Sequence, residues 1–272
     1  MGTNFDDFFD LSLQTDAALG SLIRRLTRDL WMEDHITLSI VQMLRDRLHG
    51  AEIKRRGYPV HLAVNAFKAT GALETKYGDL AIIVQLDFGD EAGLEGVAFL
   101  EAKKREWGSN KLAAIQKGQF KRLQRSAHYT RLLVYDKDPI SGAAMGANDE
   151  WMRLGLWRRF YGEIPAEAAH RLPHTHAAVV PLGIPIHAGR TDTWLYRFAL
   201  PFAAQLGLRY LQGIDLETET KVLAAAKGRS EKLGVPSFVL TVRAGHGVPG
   251  DPDQPHDFGI DGDNLEELQI RG

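Results

Sequence analysis

The sequence predicts an α/β protein. Its first half strings together a stretch of helical apolar periodicity, three apolar runs bounded by glycine, and a second, basic helical stretch. In residues 21–48, Ile23, Leu26, Leu30, Ile36, Ile40, Val41 and Leu44 recur near a 3.6-residue period, and Gly50 and Gly57 then interrupt it. Residues 60–70, 79–88 and 97–103 are rich in Val, Ile, Leu and Phe, so three strands are expected. The second and third form a hairpin closed by the loop 89–96. Ser109 is a suitable N-cap for a basic helix running to residue 126, and residues 131–135 read as a short strand. Together these elements make a core over residues 21–138.

Beyond it, small residues at 141–147 form a linker to an aromatic-rich helix at 148–161. A strand at 177–182, helices at 193–211 and 217–233, and a strand at 237–243 follow, with Pro201 expected to break the first of those helices. Residues 148–244 are thus an α-rich C-terminal extension that either stands alone or completes the same domain. Residues 245–272, full of Gly, Pro and Asp, form an acidic tail read as loop or disorder.

A chain of 272 residues suits one α/β domain with elaborations or two small domains. With 44% hydrophobic and 25% charged residues it is not collagenous, disordered or membrane-embedded. The absence of cysteine excludes disulfide frameworks, thiolate zinc sites, iron–sulfur clusters and cysteine nucleophiles. No apolar run reaches the roughly 18 residues that span a bilayer, and the start is acidic where a secretory leader is basic, so a cytoplasmic location is expected. A formal charge of −2 first argues against a nucleic-acid partner. Divided by position, it hides nine basic residues against Glu106 alone over 103–131, and seven acidic residues against Arg271 after 249.

The tripeptide Glu-x-Lys occurs four times and carries little by itself. Glu101-Ala102-Lys103 differs in ending an apolar strand, where Glu101 and Lys103 share a face with Val97 and Phe99, while Ala98, Leu100 and Ala102 point the other way. Ionisable groups there are costly unless paired, hydrated or metal-bound. A hairpin closing around Asp90 sets Asp79 opposite Glu101, about 5 Å away, a spacing at which two carboxylates bind one hard cation. The competing reading is a plain surface cluster of Asp, Glu and Lys.

Gly78-Asp79, then Glu101-Ala102-Lys103 at the end of a hydrophobic strand, then a basic helix: this arrangement resembles the PD-(D/E)xK superfamily of nucleases, the restriction-endonuclease-like fold. The resemblance covers residues 31–135 and departs from the family's name in having Gly78 where proline stands. It implies a mixed central sheet flanked by helices, with Asp79 and Glu101 holding Mg2+ or Mn2+ and Lys103 orienting or activating the attacking water. Many members add a Glu from the first helix and a Gln from the helix after Glu-x-Lys, roles that fall to Glu33 and Gln119. Glu33 equally reads as a helix-start carboxylate answering the macrodipole, and Gln116 competes with Gln119. The implied activity is Mg-dependent, endonucleolytic hydrolysis of DNA leaving 5′-phosphate and 3′-hydroxyl ends, with RNA not excluded. A bacterial role in restriction, phage defence or repair fits, as does a homo-oligomer or a partner subunit.

Elementary chemistry agrees, since phosphodiester hydrolysis needs a cation against developing charge and a source of hydroxide near neutral pH. Lys104, Arg105, Lys111, Lys117, Lys121, Arg122 and Arg125 are the candidate phosphate-binding residues, though taken alone the run also reads as a solvated helix face. A nuclease-fold subunit that binds nucleic acid or a partner without cleaving is the alternative. A weaker one is a metal hydrolase built on His170, His174, His176 and His187. Gly245-His246-Gly247-Val248-Pro249-Gly250 imitates a dinucleotide motif, but no helix follows to receive a pyrophosphate. Trp151, Leu154, Trp157, Phe160 and Tyr161 read as core of the second half, with Arg153, Arg158 and Arg159 leaving a nucleic-acid surface as the lesser reading.

Overall fold

The Val-, Ile- and Leu-rich runs assemble into one mixed sheet with helices on both faces. The computed structural model describes residues 3–55, 58–71, 77–87, 93–113, 117–141, 145, 174–229, 234–245 and 258–269. Its strands are β1 (Asn4–Phe5), β2 (Glu52–Arg55), β3 (Tyr58–Ala69), β4 (Leu80–Asp87), β5 (Gly93–Lys104), β6 (Arg131–Ser141), β7 (His174–Pro181), β8 (Leu200–Pro201), β9 (Phe238–Gly245) and β10 (Leu265–Glu267). The order across the sheet is β1-β2-β3-β9-β4-β5-β6-β7-β8, with β10 paired to β3. β4 runs antiparallel to β5 and parallel to β9, and β5 is parallel to β6.

Alternation along the strands sorts their side chains onto two faces. Leu80, Ile82, Val84, Ala98, Leu100 and Ala102 join one core with α1 (Phe8–Arg25), α2 (Glu33–Leu48) and α5 (Phe202–Leu208). Ala81, Ile83, Val97 and Phe99 join a second with α6 (Thr220–Ala226). A third, under Leu132, Val134, Ala178 and Val180, takes Phe120 and Leu123 of α3 (Lys117–Ser126) and lies near α4 (Gly183–Ala188).

Several expectations need correction. The periodic stretch 21–48 is two helices, not one: α1 stops at Arg25, a 3₁₀ turn occupies Arg28–Leu30, and α2 starts at Glu33. The period carries across the break because both helices bury their apolar stripes in the same core. The end of α1 is held by the Lys137 ammonium, which donates to the carbonyls of Ile23, Arg24 and Leu26 at 3.0, 2.7 and 2.6 Å. Ser109 caps no helix. It lies in a turn closed by Glu106 N–H donating to Lys111 O, and its hydroxyl accepts from Lys111 N–H at 3.1 Å. The tail is not all irregular, since Leu265 and Phe258 are buried and β10 extends the edge beside β3.

The described part of residues 148–244 contributes β7, β8 and β9 as well as short helices, and β9 lies between β3 and β4. That segment therefore builds the middle of the same sheet as the first half. Pro201 interrupts the helical run as expected, separating a 3₁₀ helix, Thr193–Phe198, from α5. The aromatic helix at 148–161 and most of the linker 141–147 lie outside the described residues, as does the glycine-rich string 246–250. No described helix is long and apolar enough to cross a membrane.

Candidate active site

The β4–β5 register joins Leu80 to Leu100, the pairing that sets Asp79 opposite Glu101. Gly78 makes the approach possible. Its φ is +100°, and a Cβ there would stand 2.7 Å from the Leu100 carbonyl oxygen. Proline, fixed near −65°, has no place at this position. Asp79 N–H then donates to Leu100 O at 2.9 Å, and its Oδ2 accepts from Ala102 N–H at 2.8 Å. On the other side its carbonyl receives Phe238 N–H at 2.9 Å, so both neighbouring strands fix the Asp79 backbone.

Glu101 is fully buried. Its Oε1 accepts from Lys103 Nζ and from Gln119 Nε2, both at 2.8 Å, while its Oε2 is buried without a hydrogen-bond partner. Lys103, 6% exposed, also donates to Ala102 O at 2.8 Å and to Glu33 Oε2 at 3.3 Å. Glu33 opens α2, and its Oε1 accepts from Lys104 N–H at 3.1 Å. Thus Asp79, Glu101, Lys103, Glu33 and Gln119, drawn from two strand ends and two helices, form one cluster. Gln116, the competitor of Gln119, lies outside the described residues.

Burial pushes the Asp79 carboxyl up to about 7, with the nearby Glu101 charge adding to it. Glu101 is also raised, chiefly by burial, against the opposing pull of Lys103. For Lys103, burial alone would lower the pKa, but Glu101, Glu33 and Asp79 outweigh it and the net direction is upward. The ammonium is therefore a fixed proton donor. Each carboxylate is uncomfortable in its charged form, and a cation would relieve both.

Sequence reasoning passes over Tyr135. It is fully buried in β6, and its hydroxyl lies 3.0 Å from Thr37 Oγ1. Thr37 spends its own proton on the Glu33 carbonyl at 2.8 Å, so Tyr135 is the donor. Burial, above all, and the nearby Asp79 and Glu33 charges push the Tyr135 phenol far up, keeping it neutral. A tyrosine ending the aliphatic run Leu132-Leu133-Val134 is the available signal.

The basic residues divide. Lys121, Arg122 and Arg125 stand exposed on α3, the helix that carries Gln119, and Lys111 is exposed in the preceding loop. Lys104 lies 3.7 Å from Glu106, and the Lys117 side chain is outside the described set. Arg105 is committed elsewhere. It donates to both Asp136 oxygens at 3.1 and 2.9 Å and to Asp138 at 2.6 Å, and Tyr196 hydroxyl closes on Asp136 at 2.6 Å. That internal pair, rather than a polyanion, accounts for the residue.

The described histidines of the cluster do not come together as a ligand set. His176 is buried, donating from Nδ1 to Asp136 O at 3.0 Å and accepting from Arg24 at 3.2 Å on Nε2, which leaves no lone pair for a metal. His174 and His187 are exposed, and His170 is outside the described residues. Among the described residues no trio of His, Asp or Glu side chains is arranged to chelate an ion by itself. Any cation at the candidate site rests on Asp79 and Glu101, and magnesium commonly uses one or two carboxylates with water and substrate oxygens. The unpartnered Glu101 Oε2 fits such a role. Comparison with family models, curated proteins and solved structures gives no match to this chain.

Proposed function

We propose that the chain has a restriction-endonuclease-like core and is a metal-dependent nuclease that hydrolyses DNA phosphodiester bonds. The observation that carries this reading is the buried Glu101. One oxygen is saturated by Lys103 and Gln119 while the other is unpartnered, next to a second carboxylate whose pKa is raised. A dry, unpaired carboxylate oxygen is expensive in a site with no further purpose.

Asp79 and Glu101 would hold Mg2+ or Mn2+, and the bound ion supplies positive charge beside the scissile phosphate. Gln119 fixes the Glu101 carboxyl and selects which oxygen stays free. Lys103 holds its proton and orients water: the longest of its contacts, 3.3 Å to Glu33, is the one it gives up when it turns to the reacting oxygen. Glu33 stays anchored through Lys104 N–H and stabilises the ammonium meanwhile. Exposed Lys121, Arg122 and Arg125 on the same helix as Gln119 supply attraction for the phosphate backbone.

Purified protein with Mg2+ should nick or cut labelled DNA. Lys103→Ala should fold and lose at least a hundredfold in rate, on the order of what a positioned proton-handling group contributes. Full activity in Glu101→Gln overturns the assignment. The saturated Lys103 contacts also favour, as a second reading, a nuclease-fold subunit that binds nucleic acid without cutting; salt-sensitive binding with no metal-dependent cleavage is its signature.

A further inference from the structure

Of the large apolar side chains exposed among the described residues, three lie within four positions of Glu33 or Lys103 in the chain. Leu30 and Met32, 37% and 56% exposed, flank Trp31 in the chain, and Trp107, 44% exposed, meets the Trp31 ring edge-on with centroids 6.1 Å apart. Met32 directly precedes Glu33, and Trp107 lies four positions after Lys103. Single exposed hydrophobics need no explanation, but an indole beside a cluster of catalytic type does.

The loop that presents Trp107 is pinned at its base. Arg105 N–H donates to Tyr135 O, Glu106 N–H to Lys111 O and Ala113 N–H to Lys104 O, while Trp31 Nε1 donates to Arg105 O at 2.9 Å. Arg105 Nε reaches across to Ser109 O at 2.6 Å, and Gly108, at φ +69°, turns the chain just after the indole. Lys137 Nζ, locked by three carbonyls, lies 5.6 Å from the centre of the Trp107 ring, and exposed Lys111 shares the loop with exposed Glu106. An aromatic plate held on a pinned loop, open to water and with an ammonium beside it, suits a ligand that alternates flat π faces with phosphates.

We infer that Trp107 stacks on an unpaired base of the strand whose phosphodiester lies at Asp79 and Glu101, so that single-stranded or frayed DNA is the substrate in preference to intact duplex. The inference deepens the nuclease reading and rests on it. In a duplex each base face is covered by its neighbour, so only an unstacked base offers the indole a partner.

The test measures binding by the full chain to a short labelled oligonucleotide, in EDTA so that nothing is cut, as single strand and as the matching duplex. Trp107→Ala should weaken single-strand binding roughly 5- to 150-fold, the range for loss of one stacked base, while Trp107→Phe restores most of it and duplex binding changes little. With Mg2+, wild type should cut the single strand faster than the duplex, and Trp107→Ala should lose that preference. Equal single-strand affinity in wild type and both variants overturns the inference, as does an equal loss on duplex, which would mark Trp107 as a general contact. Should wild type cleave nothing yet bind through Trp107, the nuclease reading falls and the stacking stands. Should it cleave with no dependence on Trp107, the reverse holds, and the indole is left as a protein-contact residue.

Discussion

Replacing Gly78 by alanine isolates the backbone contact that brings Asp79 to Glu101. A left-handed backbone costs an ordinary residue about 1–2 kcal/mol. Gly50, at φ +69° with nothing within 4 Å of where a Cβ would stand, measures that cost alone. At Gly78, φ is +100°, and the Cβ would meet Leu100 O at 2.7 Å, Leu100 C at 3.1 Å and Glu101 N at 3.3 Å. These are backbone atoms of a central strand held on both sides, so they yield only if the β4–β5 entry opens. A total near 3–4 kcal/mol is expected, of the size found for steric strain in a packed core. Thermal unfolding should show Gly78→Ala about 6–16 °C below wild type and Gly50→Ala about 2–8 °C below, in each case at about 2–4 °C per kcal/mol. The folded fraction of Gly78→Ala should also lose metal-dependent cleavage, because Asp79 is displaced. Equal losses in the two variants would refute the reasoning.

Burial pushes the Asp16 carboxyl from 3.8 up to about 6, against a partial offset from the Thr175 hydroxyl that donates to it at 2.7 Å. A raised acid contributes stability that is complete below pH 4 and is lost as pH rises through 6. Asp16→Asn should therefore gain up to about 3 kcal/mol over wild type at pH 8 and nearly nothing at pH 4; urea unfolding that shows the same difference at both values speaks against it. Mg2+ or Mn2+ well above its dissociation constant should raise the melting temperature, by an amount equivalent to about 2.7 kcal/mol at a hundredfold excess. Asp79→Asn should abolish that gain, and a gain that survives the substitution would place the ion elsewhere. Replacing Lys121, Arg122 and Arg125 together by alanine should lower the slope of log affinity for DNA against log salt by about 1 per lost phosphate contact, and an unchanged slope would remove α3 from the interface.

The parts of this fold legible in the sequence are those set by local rules. Alternation along residues 97–103 places Glu101 and Lys103 on the face opposite Ala98, Leu100 and Ala102, and the hairpin arithmetic leads to the register seen at Leu80 and Leu100. The gap between α1 and α2 is hidden because a periodicity reports which face is buried, not whether the backbone bonds continue. What ends α1 is Lys137, more than a hundred residues away in sequence. The turn at Ser109 escapes for a related reason: a small hydroxyl bonds backbone N–H groups in turns as readily as at helix starts. For the site, Glu33 and Gln119 are nameable only through a family pattern, since nothing local links α2 or α3 to the end of β5. Tyr135 looks like strand core, which it also is.

The placement of β9 gives the order of synthesis a meaning. β3 and β4 are made early, yet neither pairs with the other: the slot between them is filled by residues 238–245. Until those residues have left the ribosome, two apolar strand edges face a gap, and the Asp79 carbonyl lacks the Phe238 N–H that holds it. Such long-range pairing is slow to form and exposes strand edges while it waits. A nascent chain would thus carry Asp79 for much of translation with its backbone held by β5 alone. The pairing that completes the sheet is also the one that fixes the Asp79 backbone from its second side.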